Sequence, residues 1–95
     1  MLEFEWNNGK NKSNIEKHGL SFEDVDLLFN ESLIVLLDER KDYQENRCLG
    51  YGLVKGRLFQ VVFTRREKKI RIISFRKANK REIKKYEVLT NGRFK

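Results

Sequence analysis

Residues 47–76 read RCLGYGLVKGRLFQVVFTRREKKIRIISFR, and this segment determines the architecture. Its apolar residues fall into three runs of strand length, separated by the tight turn Lys55-Gly56 and by a short charged turn. Such runs, rich in β-branched and aromatic residues, predict β-strands. The chain contains no proline, so consecutive strands are free to pair as hairpins. We therefore predict an antiparallel meander with strands at 47–54, 58–64 and 70–76.

Shorter elements flank this meander. Phe22, Val25, Leu28 and Phe29 recur at helical spacing and predict one buried helix face. The run Leu33–Leu37 is continuously apolar, which predicts a strand in the centre of the sheet. The complete set of flanking predictions is a strand at 3–6, a helix at 10–18 that ends at Gly19, a helix from 22 to 29, a strand at 33–37, a charged loop at 38–45 and a helix after Asn79.

Two of these helices carry sequence signals for their first turn. Ser21 is followed three residues later by Asp24, and Asn79 is followed at the same spacing by Glu82. This spacing is typical of a capping box, in which two side chains satisfy backbone N–H groups of the first turn. We therefore interpret Glu82 as a helix cap, although a carboxylate can also serve as a general base.

The predicted order is β-α-α-β-β-β-β-α, without alternating βαβ units. We therefore expect an α+β protein with a mainly antiparallel sheet, two N-terminal helices and one C-terminal helix. Ninety-five residues allow one domain, which we take to span residues 1–95. This length excludes a (β/α)₈ barrel or a doubly wound nucleotide-binding fold.

Basic residues are concentrated in the C-terminal third. The chain carries a net charge of +7, but residues 65–95 hold 13 Lys and Arg against three Glu, a net charge of +10. Residues 1–64 have a net charge of −3. Some arginines of the basic third lie within a predicted strand, which holds them in defined positions. This arrangement indicates a polyanionic partner, most often a nucleic acid.

Cysteine and histidine are too few for a metal site. With only Cys48 and His18 there is no disulfide and no cluster of ligands at metal-binding spacing. We expect no metal and no cofactor, and we expect Cys48 to be a buried apolar residue in a reducing cytoplasm. The longest apolar run is too short to span a membrane, and the first residues do not have the pattern of a signal peptide.

Short motifs along almost the whole chain resemble those of one family. They are Phe4-Glu5-Trp6, Lys17-His18-Gly19, Ser21-Phe22-Glu23, residues 47–50, Gly56-Arg57-Leu58, Val61-Val62-Phe63-Thr64, residues 71–78 and residues 81–86. In this order and spacing the sequence resembles the BrnT family of type II toxin–antitoxin toxins. The resemblance implies a RelE-like fold and a ribonuclease activity that slows translation. It also implies a small antitoxin, BrnA, which neutralises the toxin and represses the shared promoter, so that operator DNA is contacted only through the antitoxin complex.

The sequence departs from the usual pattern of that family at three positions. Asn7 stands where the family usually has Asp after the Trp of the first motif. Phe63 replaces the usual Tyr of the third meander strand, and Phe75 falls within a segment that is usually Ser-Ala-Arg. The change at Phe63 removes a hydroxyl group, so its position relative to the site matters.

Metal-free RNA cleavage uses the neighbouring 2′-hydroxyl as nucleophile and needs cations around the phosphate. Arginine suits this task because its planar guanidinium contacts two phosphate oxygens and stays charged. His18 is the natural candidate for proton transfer, although a His before a helix-terminal Gly often serves only the helix end. The catalytic candidates are therefore His18, Arg71, Arg76 and Arg81, and the RNA-binding candidates are Lys17, Arg47, Ser74 and Lys77.

Strand alternation complicates this site. Arg71 and Arg76 are five residues apart, which places them on opposite faces of a regular strand. They can serve one site only if the strand bulges or if Arg76 lies at its end. Otherwise, one of them pairs with an acidic residue such as Glu87 or with a helix terminus. Ser74 shares a face with Arg76, where it either binds phosphate or is simply a small strand residue.

Two functions therefore remain open. One is a metal-independent endoribonuclease toxin that acts on RNA and is neutralised by a BrnA-like antitoxin. The other is a non-catalytic module that binds nucleic acid or an antitoxin. In either case we expect an acidic antitoxin segment to cover Arg71, Arg76 and Lys77 and to compete there with RNA.

Overall fold

The computed structural model describes residues 2–40 and 45–93, over which it contains five strands and three helices. Residues 41–44 of the predicted charged loop lie outside the described part. The elements are β1 (Glu3–Trp6), α1 (Asn8–His18), a 3-10 helix (Phe22–Leu28), β2 (Ile34–Leu37), β3 (Cys48–Val54), β4 (Arg57–Arg66), β5 (Lys69–Lys77) and α2 (Lys80–Leu89).

All five strands form one sheet in the order β1-β5-β4-β3-β2. Strands β2 to β5 pair with their neighbours in antiparallel orientation, and β1 pairs with β5 in parallel orientation. The α+β class and the predicted meander are thus confirmed, in a mixed sheet. The second predicted helix is a 3-10 helix rather than an α-helix.

The prediction that 33–37 is a central strand was wrong. The strand β2 pairs only with β3 and forms one edge of the sheet. Val35 and Leu37 remain 48% and 56% exposed. The meander places β2 at the end of the sheet, and β1 joins the opposite edge, so the apolar run at β2 is not buried on both sides. Cys48, which lies opposite Leu37, is accordingly only half-buried.

The hairpin between β3 and β4 forms at the predicted turn. Lys55 and Gly56 have φ values of 51° and 77°, which suit a two-residue hairpin loop with left-handed central residues. This tight turn sets the register, so that Tyr51 lies directly opposite Gln60.

A bulge in β5 determines which side chains share a face. Ser74 pairs with Val62 and Ile72 pairs with Phe63, so Ile73 is an extra residue. Arg71 lies opposite Thr64 and Arg76 lies opposite Gln60. Because Gln60 and Thr64 are four residues apart on one strand, and opposed residues share a face, both arginines lie on the same face of the sheet.

The 3-10 helix covers the other face, which we call the core face and define by Val61, Phe63, Ile72 and Phe75. Phe22, Val25 and Leu28 of the helix are at most 1% exposed and pack with these residues. The close approach of the 3-10 helix to the sheet depends on Gly52, because a Cβ at this position would lie 3.1 Å from the carbonyl oxygen of Leu28. The predicted buried helix face is therefore confirmed.

The helix α1 lies beside β5 and binds its open edge. Because β1 ends at Trp6, opposite Ile72, it leaves the following residues of β5 without a strand partner on that side. The side chain of Asn14 replaces that partner: its Nδ2 donates to the carbonyl oxygen of Phe75 at 2.7 Å, and its Oδ1 accepts from the N–H of Phe75 at 3.2 Å. Asn14 is 6% exposed, so it satisfies two buried backbone groups.

The ends of α1 and of the 3-10 helix differ slightly from the sequence predictions. The helix α1 begins two residues early, because Asn7 accepts a hydrogen bond from the N–H of Lys10, and it ends at Gly19 with a left-handed φ of 69°, as predicted. The Ser21 hydroxyl accepts from the N–H of Glu23 rather than from that of Asp24. The Asp24 N–H instead donates to the backbone carbonyl of Ser21, so the predicted capping box at Ser21 was wrong.

The helix α2 packs on the opposite face of the sheet, which we call the α2 face and define by Leu58, Gln60, Val62 and Thr64. The predicted capping box between Asn79 and Glu82 is present. Tyr86 is buried against this face, and its hydroxyl donates to the carbonyl oxygen of Ser32. Ile83 and Leu89 pack less closely and are 39% and 49% exposed.

We expect Asn14→Ala to lower the free energy of unfolding by about 2 kcal/mol, because it leaves the N–H and C=O of Phe75 buried without partners. Urea denaturation measures this difference. Asn8→Ala, at an exposed position of the same helix, is the matched control. Equal stabilities of the two variants would show that Asn14 does not anchor α1 to β5.

Candidate active site

Glu82 is the centre of a polar cluster at the N-terminus of α2. Its Oε1 and Oε2 accept from Nη1 and Nη2 of Arg76 at 2.8 and 2.9 Å, a bidentate ion pair. Oε1 also accepts from the N–H of Asn79 at 2.9 Å, which closes the capping box. The same carboxylate therefore caps a helix and holds an arginine of β5.

Two uncharged side chains complete this cluster. Gln60 Nε2 donates to the Tyr51 hydroxyl at 2.7 Å and to Glu82 Oε2 at 3.1 Å, and the Tyr51 hydroxyl donates to the same oxygen at 3.2 Å. Tyr51, Gln60 and Arg76 are directly paired across three neighbouring strands, so the sheet register brings them together. We call Tyr51, Gln60, Arg76 and Glu82 the Arg76 cluster.

The electrostatics of this cluster keep its ion pair charged at neutral pH. Hydrogen bonding from Arg76 holds the pKa of Glu82 below its usual value of 4.5, against the opposing effect of burial. The same hydrogen bond raises the pKa of Arg76. Burial, with the nearby negative charge of Glu82, raises the pKa of Tyr51 above its usual value of 10.0. Tyr51 is therefore a neutral hydrogen-bond donor, and Glu82 is a carboxylate.

Arg76 retains donors for a further anion. Its Nη1 donates to Glu82 and to the carbonyl oxygen of Lys77, and its Nη2 makes one bond to Glu82. A guanidinium has five N–H groups, so Nε–H and one Nη2–H are not used by these bonds. The Arg76 side chain is 25% exposed, compared with 15% for that of Glu82. An approaching phosphate therefore meets the arginine rather than the carboxylate.

A second cation lies on the same face, closer to β1. Arg71 donates from Nη1 to Glu5 of the neighbouring strand at 3.2 Å, and both side chains are about one-third exposed. Along β4, the positions opposite Arg71 and Arg76 are four residues apart, or about 13 Å. Ser74 lies between the two arginines and opposite Val62. The α2 face thus presents a row of Arg71, Ser74 and Arg76.

Thr64, opposite Arg71, is 1% exposed, and its hydroxyl has no partner among the described residues. Thr64 therefore occupies a buried position opposite Arg71 and does not provide a surface contact.

The other sequence candidates lie outside the Arg76 cluster. Arg81 is exposed on the first turn of α2, beside Glu82 in sequence, and Lys77 is exposed at the end of β5. Arg47 is half-buried immediately before β3. Lys17 and His18 are exposed on the last turn of α1. Within residues 2–40 and 45–93 neither of these two side chains makes a hydrogen bond or an ion pair, and neither takes part in the hydrogen bonds of the Arg76 cluster.

The three departures from the family pattern do not remove groups from this cluster. Asn7 caps α1. Phe63 and Phe75 are 4% and 3% exposed on the core face. The hydroxyl that Phe63 lacks would therefore lie on the face opposite the arginine row.

Tyr51, Gln60 and the Arg76–Glu82 ion pair were missed from sequence. One signal was available, because Gln60 interrupts the apolar run Leu58–Phe63 at a position that alternation directs to one face. The two-residue turn at Lys55-Gly56 then pairs Gln60 with Tyr51. The contact with Glu82 had no comparable signal, since it depends on how α2 packs across the sheet.

Among the side chains that the structure describes, no group of three or more His, Cys, Asp or Glu could hold a metal ion. None of the described helices is long and apolar enough to cross a membrane.

Comparison with known proteins identifies the family. A search of curated proteins found no match to this chain. A family model described as the ribonuclease toxin BrnT of a type II toxin–antitoxin system matches residues 6–82. This range begins at Trp6, the last residue of β1, and includes both N-terminal helices, the complete meander and Glu82 at the start of α2. The chain that carries this arginine row and the Arg76 cluster therefore belongs to the BrnT family of ribonuclease toxins.

Proposed function

We propose that the protein is an endoribonuclease that cleaves RNA without a metal ion, inhibits translation and is neutralised by a BrnA-like antitoxin. We retain the RelE-like fold as part of this proposal. The observation that carries it is the Arg76 cluster, in which a bidentate carboxylate holds an arginine that keeps unused donors and partial exposure. Family membership supports the ribonuclease activity itself.

In this proposal the 2′-hydroxyl loses its proton and its oxygen attacks the adjacent phosphorus. The bond from phosphorus to the 5′-oxygen then breaks, the 5′-oxygen gains a proton, and a 2′,3′-cyclic phosphate is left. Negative charge grows on the phosphate oxygens during attack, and in this proposal Arg76 stabilises it. Arg71 and Ser74 bind the neighbouring backbone, and Arg81, Lys77, Arg47 and Lys17 supply further phosphate contacts.

Glu82 acts in this scheme as a positioning residue. It accepts five hydrogen bonds, and its pKa is lowered, which makes it a weak base. Its contribution is to prevent Arg76 from adopting other rotamers. His18 is the remaining candidate for proton transfer in this proposal, and the variant His18→Ala tests that role.

The alternative function, a non-catalytic module that binds nucleic acid or an antitoxin, is favoured by one observation. Both Arg71 and Arg76 already have carboxylate partners, Glu5 and Glu82, so each ion pair also has a structural role. Such a module binds RNA through the same cations and leaves it intact.

The test of the proposal is Arg76→Lys, which keeps the positive charge but loses the planar fork. We expect kcat for cleavage of a synthetic RNA to fall about 100-fold, with KM nearly unchanged, because the lost contact acts on the transition state. Arg57→Lys, at an exposed arginine on the first residue of β4, is the matched control. Unchanged kcat in Arg76→Lys would remove Arg76 from the reaction, and absence of cleavage by the wild type would support the alternative.

The pH dependence of kcat/KM separates the Arg76 cluster from His18. The pKa of Glu82 is lowered, so protonation that releases Arg76 occurs only below pH 4.5, and activity is lost only there. The pKa of Tyr51 is raised above its usual value of 10.0, so that hydroxyl stays protonated at neutral pH. We therefore expect no inflection near neutrality. An inflection near neutrality that disappears in His18→Ala would assign proton transfer to His18 instead.

Cleavage is expected to persist in excess EDTA, because the charge-stabilising groups of this proposal are arginine and lysine side chains. The measurement is the initial rate with and without chelator at constant ionic strength. Complete loss of activity that a divalent cation restores would contradict the metal-free mechanism.

A further inference from the structure

The open edge of the sheet carries an apolar surface that the Arg76 cluster does not use. In the antiparallel pair of β2 and β3, the Asp38 N–H donates to the Arg47 carbonyl at 2.8 Å, so this pair is hydrogen-bonded. Hydrogen-bonded and non-hydrogen-bonded pairs alternate. The backbone N–H and C=O groups of Val35 and Leu37 therefore point away from β3, towards the open edge.

The side chains of the same two residues are also exposed. Val35 and Leu37 lie on the core face, opposite Gly50 and Cys48, and are 48% and 56% exposed. The sequence of β2 is Ile-Val-Leu-Leu, with no charge, no proline and no bulge. Edge strands usually carry such features because they prevent unwanted pairing. The other edge strand, β1, carries Glu3 and Glu5, so only β2 is an unprotected edge among the described strands.

A groove continues from this edge across the core face. Its volume is about 370 Å³, and its lining includes Leu33, Val35, Cys48, Phe63 and Ile70. The only charged side chain of the lining is Arg65, which is exposed and makes no ion pair within the described part of the chain. The groove therefore suits an apolar side chain followed by an acidic residue.

We propose that an extended segment of the antitoxin adds to β2 as a sixth strand and places an apolar side chain in this groove, with a carboxylate near Arg65. Added strands gain main-chain hydrogen bonds at an open edge, and adjacent pockets select their side chains. The inference rests on membership of a toxin–antitoxin family and not on the catalytic role of Arg76.

Charge favours this occupant over a second copy of the chain. Two copies would each bring a net charge of +7, and they would repel one another. An acidic antitoxin segment is instead attracted, and it matches the single cation of the groove. The proposed contact lies on the core face and edge, whereas Arg71 and Arg76 lie on the α2 face. It therefore differs from the sequence expectation that the antitoxin is held at the arginine row.

The test is Val35→Glu, which places a charge at the centre of the proposed contact. The probe is the antitoxin polypeptide expressed from the reading frame adjacent to that of this chain, and the measurement is its Kd. We expect the affinity to fall about 100-fold or more, because the new carboxylate would be buried without a partner. Val88→Glu, at a 75% exposed valine of α2, is the matched control and should bind within about threefold of the wild type.

RNA cleavage and hydrogen exchange complete the experiment. Val35→Glu should unfold near the urea concentration at which the wild type unfolds, which shows that the variant is folded independently of any cleavage. Under conditions in which the wild type cleaves RNA, the variant should also cleave it and should resist inhibition by the antitoxin. In the wild type, the amides of Val35 and Leu37 should become protected from exchange when antitoxin is added. Wild-type affinity of Val35→Glu, or unchanged exchange at these amides, would overturn the proposal. Neither binding measurement depends on cleavage, so failure of the proposed catalytic function is detected separately.

Discussion

The extra residue in β5, Ile73, is the constraint on which both faces of the sheet depend. Side chains of a strand alternate, so a shift of one residue moves every later side chain to the other face. With the bulge, Ile70, Ile72 and Phe75 all enter the core, while Arg71, Ser74 and Arg76 all lie on the α2 face. Without it, Phe75 would leave the core and Arg76 would be directed into it. Asn14 then binds the main chain of Phe75 directly beyond the bulge.

Carboxylates hold the arginine side chains of the α2 face in defined positions. A flexible arginine must lose rotamer freedom when it binds a phosphate, which opposes binding. Glu82 removes much of that freedom from Arg76 in the unbound protein, and Glu5 does so more weakly for Arg71, through one contact at 3.2 Å. Glu82 is itself positioned by the cap of α2 and by Tyr51 and Gln60. The start of α2, the register of the sheet and the position of the Arg76 guanidinium are therefore coupled through the Glu82 carboxylate.

Two expectations from the sequence were wrong, and each has a physical reason. An apolar run predicts that a strand prefers burial, but it does not reveal how many neighbours the strand has. Residues 33–37 were expected at the centre of the sheet, yet the meander places β2 at its edge, with Val35 and Leu37 exposed. The capping box expected between Ser21 and Asp24 is absent for a local reason: Ser21 does cap the 3-10 helix, but this helix is wound more tightly than an α-helix, and the serine hydroxyl accepts from the N–H two residues ahead.

The amino-acid sequence by itself determined the strands of the meander, the turn at Lys55-Gly56, the capping box of α2 and the excess of basic residues near the C-terminus. These features depend on local periodicity and turn chemistry, which are readable within about ten residues. Only the tertiary structure decided that Arg71 and Arg76 share a face, that Glu82 binds Arg76, and that β2 is an edge. Each of these depends on strand order, strand register or helix packing between residues distant in the chain. For Arg71 and Arg76, a one-residue bulge is enough to decide whether they share a face.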